Sequence, residues 1–182
     1  PFSDPMADGP VIQRASERAL KNKFGLQAIL DVTSRVRKQI DTPIILFSYY
    51  NPLLQFGLKR VAEAAKEAGL DGVLVTDLTP EESGEFETEL RAQGLDMIFL
   101  VAPTSTDERL QLVAQHASGF IYAVSRAGVT GARSTISAEA EKLVTRMRRF
   151  SELPIAVGFG ISNADQVKDV QRLQPLFEFS GA

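Results

Sequence analysis

Short apolar runs alternate with longer amphipathic stretches along most of the chain. The runs are nearly continuous and rich in Val, Ile, Leu and Phe, which is typical of parallel strands buried on both faces. They predict five strands, over residues 44–48, 72–77, 97–102, 120–125 and 155–158. Residues 176–180 are a candidate for a sixth strand.

The amphipathic stretches between these runs have the spacing of helices. Gly69 ends one stretch where a helix C-cap is expected, and Thr106 begins another as an N-cap. The predicted helices cover residues 13–20, 26–40, 58–68, 81–92, 106–115, 137–150 and 163–173. This alternation predicts a parallel α/β sheet, either open and doubly wound or closed as a (β/α)8 barrel, and we favour the barrel.

The composition narrows the class of protein. The chain has 182 residues, 44% of them hydrophobic and 24% charged, which fits one globular domain over residues 1–182. A net charge of −3 gives no electrostatic case for nucleic acid, and the absence of cysteine excludes disulfides and thiolate zinc sites. No apolar run approaches the roughly 18 residues of a membrane span, so we expect no membrane association and a cytoplasmic location.

Candidate chemistry lies where predicted strands end, because parallel α/β proteins place their sites at the C-terminal ends of strands. Gly-rich segments follow two consecutive predicted strands, at residues 125–131 and 158–163. Backbone N–H groups in such segments can approach a phosphate without hindrance from side chains. Either segment alone could simply form a tight turn, but the two together favour a phosphate-bearing ligand.

Individual polar residues allow competing interpretations. Asp4 and Asp8 lie among three prolines in the first ten residues; Asp4 is better explained as a turn cap, whereas spacing leaves Asp8 open. Tyr122 lies inside a predicted strand, where a core aromatic is the ordinary interpretation. His116, the only histidine, is predicted on the solvated surface with no nucleophile placed beside it. The basic run at residues 146–149 is interpreted as a solvated helix face.

Several motifs resemble one family, the tryptophan synthase α chain. Residues 1–10, Pro-Phe-Ser-Asp-Pro-Met-Ala-Asp-Gly-Pro, are similar to a highly specific signature of that family. Supporting matches follow in order and spacing, at residues 50–52, 72–78, 120–122, 125–131 and 157–162. The resemblance extends to about Asp169.

The resemblance implies a (β/α)8 TIM barrel that acts in tryptophan biosynthesis as a carbon–carbon lyase. It implies cleavage of indole-3-glycerol phosphate to indole and glyceraldehyde 3-phosphate, with no cofactor and no metal in the α chain. Indole then passes to a separate β chain in an αββα complex. The reaction needs a proton on the indole ring carbon, loss of a proton from the side-chain hydroxyl and relief of charge at the ring nitrogen, which acid–base groups supply.

The resemblance also implies roles for particular residues. Asp8 is similar to the aspartate that hydrogen-bonds the indole N–H, and Tyr122 to a tyrosine near the reacting centre; both are expected to be catalytic. Thr130 is similar to a loop threonine that closes over the site. Asp4, Pro5 and Thr79 are expected to face the β chain. Further residues are expected to bind the indole or the phosphate: Phe47, Leu74, Gly131, Phe159, Gly160 and Gly181.

The chain departs from the family pattern in ways that favour an incomplete barrel, with about six of eight strands. It begins at Pro1, after the strand that carries the family's main acid/base glutamate, so we expect that glutamate and two strands to be missing. Thr79 stands where the family usually has proline, and residues 171–182 do not resemble the family's last strand.

Three hypotheses follow from these departures. The chain belongs to a lyase that is complete only in a longer parent, or it is a non-catalytic remnant that binds a phosphate ligand or a β chain. A different phosphate-binding barrel, such as a phosphoribosyl isomerase, is the third, and the motif at residues 1–10 argues against it.

Overall fold

The computed structural model describes residues 1–4, 8–124 and 138–158. Within these ranges the chain alternates between helices and strands in the order expected. The strands are β1 (Ile45–Ser48), β2 (Gly72–Val75), β3 (Asp96–Val101), β4 (Ile121–Val124) and β5 (Ile155–Gly158). The helices are α1 (Pro10–Lys21), α2 (Leu26–Arg37), α3 (Tyr50–Phe56), α4 (Leu58–Ala68), α5 (Gly84–Ala92), α6 (Asp107–His116) and α7 (Ala138–Met147), with a 3-10 turn at Pro80–Glu82.

The five strands form one parallel sheet in sequence order, β1-β2-β3-β4-β5. Phe47 lies opposite Leu74, and Tyr122 lies opposite Leu100 on one side and Ala156 on the other. Each strand is joined to the next by at least one helix, so consecutive strands are neighbours. The prediction of a parallel α/β sheet is confirmed.

The two faces of the sheet have different roles. One face packs against the helices and supplies much of the hydrophobic core, with Leu53, Leu90 and Leu110 as buried helix partners. The core side chains contributed by strands are Leu46, Val73, Val75, Met97, Phe99, Val101, Ile121, Ala123 and Ile155. Because side chains alternate along a strand, the residues between these positions line the opposite face.

This opposite face is concave. The rings of Phe47 on β1 and Tyr122 on β4 meet edge to face, with centroids 6.3 Å apart and planes at 73°. These strands are three places apart in the sheet, which in a flat sheet is roughly 14 Å at about 4.8 Å per strand. A ring contact over this distance is consistent with a sheet that curls, as the strands of a barrel do.

The structure corrects three details of the predictions. Residues 50–56 form a helix, α3, that is absent from the predicted helices. His116 is not simply solvated, because its Nδ1 lies 2.8 Å from Oε2 of the buried Glu87. Arg146 likewise binds Asp107 on α6, with Nη2 2.7 Å from Oδ1, and so joins two helices.

The predicted helix at 163–173 and the candidate strand at 176–180 lie outside the described residues. In the part of the chain that the structure describes, no helix has both the length and the apolar character needed to cross a membrane.

Candidate active site

A cleft of about 220 Å³ lies between the N-terminal residues, α1, α2 and the C-terminal end of β1. Asp8 and Phe47 both line it, together with Ser16, Ser48 and Tyr49. The walls thus combine a carboxylate, hydroxyl groups and an aromatic ring. That combination suits a ligand with an aromatic part and polar hydrogen-bonding groups.

Asp8 is held at the rim of this cleft by two contacts. The Tyr49 hydroxyl donates to Asp8 Oδ2 over 3.2 Å, and Gln13 Nε2 donates to the Asp8 carbonyl oxygen over 2.9 Å. The Tyr49 ring in turn packs against Phe2, with centroids 5.3 Å apart. Asp8 is therefore restrained both at its carbonyl oxygen and at its carboxylate.

Tyr49 is placed by the ends of two neighbouring strands. It follows β1 directly, and its extended backbone (φ −88°, ψ 158°) begins α3. The next backbone N–H, that of Tyr50, donates to Asp77 Oδ1 over 2.7 Å. Thr76 N–H donates to the Ser48 carbonyl over 3.0 Å. The segments that follow β1 and β2 are thus joined.

Phe47, Leu74 and Tyr122 lie on the concave face. Phe47 is 58% exposed although it is a large aromatic, whereas Leu74, its partner across the strands, is 1% exposed. Tyr122 packs on the backbone of Gly158, where a Cβ atom would lie 2.5 Å from the tyrosine hydroxyl oxygen. Gly158 therefore provides the space that the Tyr122 ring occupies. Phe47 links this ring to the cleft that contains Asp8.

Thr79 lies in a second cleft, of about 320 Å³, at the C-terminal ends of β2 and β3. There Arg109 on α6 pairs with Glu81, and this hydrogen bond is the largest cause that holds the pKa of Glu81 below its ordinary value of 4.5. Thr79 Oγ1 donates to Glu82 Oε2 over 3.3 Å. The structure therefore separates Thr79 from Asp8 into different clefts.

The other expected site residues are only partly covered. Asp4 is exposed and accepts a hydrogen bond from the Ser3 hydroxyl. Six expected site residues lie outside the described residues: Pro5, Thr130, Gly131, Phe159, Gly160 and Gly181. Among described residues, no group of three or more His, Asp or Glu side chains could hold a metal ion.

The structure adds Tyr49 to the cleft with Asp8, and it adds Asp77, which lines the second cleft and binds the neighbouring Tyr50 N–H. Neither residue was among the predicted site residues. Their positions in the sequence could have identified them, because polar residues directly after neighbouring parallel strands meet at one edge of the sheet. Burial, and then the charges of Glu85 and Glu82, raise the pKa of the Tyr50 hydroxyl.

Comparison with known proteins gives a consistent result. The family model described as "Tryptophan synthase alpha chain" matches residues 1–174. Curated tryptophan synthase alpha chains from Geobacter sulfurreducens and Solibacter usitatus are 52% and 47% identical, each over 93% of this chain. The chain spans 64% of the length of either relative.

Solved structures agree with the fold. A tryptophan synthase complex from Pyrococcus furiosus matches with a TM-score of 0.83 and 36% identity, over 95% of this chain and 69% of that one. Tryptophan synthase from Mycobacterium tuberculosis matches with a TM-score of 0.88 and 36% identity, over 95% and 66%. The prediction of a partial TIM barrel is confirmed, and the chain belongs to the tryptophan synthase alpha chain family.

Proposed function

We propose that the protein carrying this chain cleaves indole-3-glycerol phosphate to indole and glyceraldehyde 3-phosphate, as a lyase of tryptophan biosynthesis in the cytoplasm. The observation that carries the proposal is a series of contacts: Asp8 and Phe47 line one cleft, and the Phe47 ring meets the ring of Tyr122. Membership of the family supplies the reaction, and this geometry supplies groups suited to it.

Asp8 is proposed to accept a hydrogen bond from the indole N–H. When the ring carbon is protonated, positive charge develops at the ring nitrogen, and a fixed carboxylate stabilises that charge. Oδ2 already accepts the Tyr49 hydroxyl, so Oδ1 is the oxygen proposed to face the substrate.

Tyr122, Phe47 and Leu74 are proposed to form the indole pocket. Phe47 offers an exposed ring, Leu74 closes the adjacent surface, and Tyr122 adds a hydroxyl near the reacting bond. An aromatic ligand between such side chains is held by burial and by edge-to-face contacts. Acid–base chemistry of this kind needs no cofactor or metal.

The phosphate is proposed to lie beyond these residues, at Gly131, Gly160 and Gly181. The order of motifs supports this, because glycine-rich segments that follow successive strands form the usual phosphate site of barrels. Thr130 is proposed to close over the ligand, and Phe159 to contact it.

A tryptophan synthase β chain is the proposed partner. The Pyrococcus furiosus structure with a TM-score of 0.87 is described as the a2b2 complex, which supports a partner of this kind. Asp4, Pro5 and Thr79 are the proposed contact residues. Asp4 is exposed, and Thr79 lines a cleft separate from the one with Asp8, as a docking surface outside the reaction centre requires.

The test compares Asp8→Asn with Asp41→Asn in the full protein, because the family's proton-donating glutamate precedes the motif at residues 1–10. Asp41 is exposed and lies before β1, away from the cleft. Indole release from indole-3-glycerol phosphate should fall by about 10²-fold or more in Asp8→Asn only, with matching urea midpoints. Equal turnover in the two variants would refute the proposal.

A further inference from the structure

We propose that Tyr49 is a positioning residue, which fixes the Asp8 carboxylate in its reactive orientation. This proposal rests on the proposed function of Asp8. Tyr49 does not need to touch the substrate; it acts through its hydrogen bond to Asp8 Oδ2.

The need for such a residue follows from the way Asp8 is attached. Gln13, in the first turns of α1, binds the Asp8 carbonyl oxygen and thereby fixes the backbone. This bond leaves rotation about the Asp8 side-chain bonds open. The Tyr49 hydroxyl, which lies just after β1 and 41 residues away in sequence, donates to the carboxylate and restricts this rotation. The carboxylate is then oriented by two different elements.

Tyr49 is itself held on both sides, so it can transmit position. Phe2 packs on its ring with an interplanar angle of 38°. Asp77, which follows β2, accepts the N–H of Tyr50 and so fixes the backbone where Tyr49 leaves β1. A tyrosine restrained at its ring and its backbone can hold a carboxylate with little loss of conformational entropy when substrate binds.

The hydrogen bond from Tyr49 also gives the two carboxylate oxygens of Asp8 different roles. A hydroxyl bound to Oδ2 leaves Oδ1 for the substrate N–H, and the polarity of that bond is correct because a carboxylate only accepts. Without the Tyr49 hydroxyl, Asp8 keeps its charge, but its carboxylate is free to rotate. Turnover should fall much more than substrate affinity, because the Asp8 contact matters most when charge develops on the ring.

The sharpest test is Tyr49→Phe with Tyr50→Phe as its matched control. Each variant loses one hydroxyl, from adjacent residues at the start of the same helix, but only Tyr49 binds Asp8. In the full protein, Tyr49→Phe should lower kcat about tenfold or more, with KM for indole-3-glycerol phosphate within about twofold. Tyr50→Phe should keep both constants. Equal kcat in the two variants overturns the proposal.

A double-mutant cycle separates positioning of Asp8 from an independent effect. In an Asp8→Asn background, Tyr49→Phe should change kcat by less than about twofold, because the group that it orients has already been altered. A full tenfold loss in that background overturns the proposal, since Tyr49 would then act without Asp8.

The cycle also keeps this proposal distinct from the proposed function. An inactive Asp8→Asn variant beside a fully active Tyr49→Phe variant would remove the role of Tyr49 and leave the lyase assignment standing. Full activity in Asp8→Asn would overturn the role of Asp8 and the role of Tyr49 with it.

A second variant guards against an effect of misfolding. Phe2→Leu removes the ring that packs on Tyr49 but leaves the Tyr49 hydroxyl in place. It should lower kcat by a smaller factor than Tyr49→Phe, and the loss should disappear in the Tyr49→Phe background. Equal, additive losses from the two substitutions would contradict positioning through the hydroxyl.

Discussion

At the scale of single residues, the shape of the concave surface depends on a glycine as well as on side chains. Gly158 ends β5, and Tyr122 ring and hydroxyl atoms lie within 2.6 Å of the point that a Cβ atom on this residue would occupy. The Tyr122 ring therefore fits in its position because the glycine on the neighbouring strand has a hydrogen atom in place of a side chain. Gly84, the first residue of α5, is a natural contrast, because a Cβ added there has no heavy atom within 4 Å.

Gly158→Ala should consequently destabilise the protein by about 1–3 kcal/mol, since the added methyl group must displace the Tyr122 ring. Gly84→Ala should leave stability unchanged or raise it by up to about 1 kcal/mol, because alanine favours a helix. Urea unfolding of both variants measures the difference. An equal effect of the two substitutions would show that Tyr122 moves aside without cost.

At the scale of elements, the strands were predictable and one helix was not. The apolar runs were nearly continuous, so all five described strands lie within two residues of their predicted ends. α3 was not predicted, and its first turn contains Pro52, which is tolerated there because its missing N–H needs no partner. The contact that fixes this turn comes from Asp77 on another segment, which no local pattern reveals.

The same limit explains His116. A lone histidine near a helix end indicates a solvated position, but α5 places the buried Glu87 beside it. Glu87 also pairs with Arg91 one turn along α5, so its two oxygens have separate partners. The carboxylate thereby joins α5 to α6.

His116→Ala should therefore destabilise the protein by about 1–3 kcal/mol, because one oxygen of a buried carboxylate loses its partner. Gln115→Ala is the control, since Gln115 is the exposed neighbour on α6 and its loss should cost less than about 0.5 kcal/mol. Thermal or urea unfolding at pH 7 compares them. Equal stability of the two variants would mean that water replaces the imidazole without penalty.

At the scale of the whole molecule, the curvature of the sheet brings side chains from distant strands together on one face. The sequence predicted a parallel α/β fold and pointed to strand ends, but it gave no distance between Phe47 and Tyr122, which are 75 residues apart in a sequence of 182. Their meeting at 6.3 Å depends on the curl accumulated over β1 to β4. Asp8 shares a cleft with Phe47, which the N-terminal residues, α1 and α2 also line.

Residues of the concave face also differ in how much they contribute to folding stability. Leu74 and Phe47 are opposite each other in the sheet, but Leu74 is 1% exposed and Phe47 is 58% exposed. Burial of apolar area stabilises the fold, so a ring that remains this open contributes little to stability. We expect the Phe47 ring to be covered by substrate.

Phe47→Ala should accordingly raise KM for indole-3-glycerol phosphate about tenfold in the full protein, while the free energy of unfolding changes by less than about 1 kcal/mol. Leu74→Ala should instead act mainly on stability and lower the free energy of unfolding by about 2–5 kcal/mol, because it leaves a cavity.

Leu54→Ala is the matched control for Phe47→Ala. Leu54 on α3 is 48% exposed, similar to Phe47, but lies outside the lining of the cleft. It should alter neither KM nor stability appreciably. A Phe47→Ala variant that unfolds readily but binds substrate normally would assign the ring to the core instead.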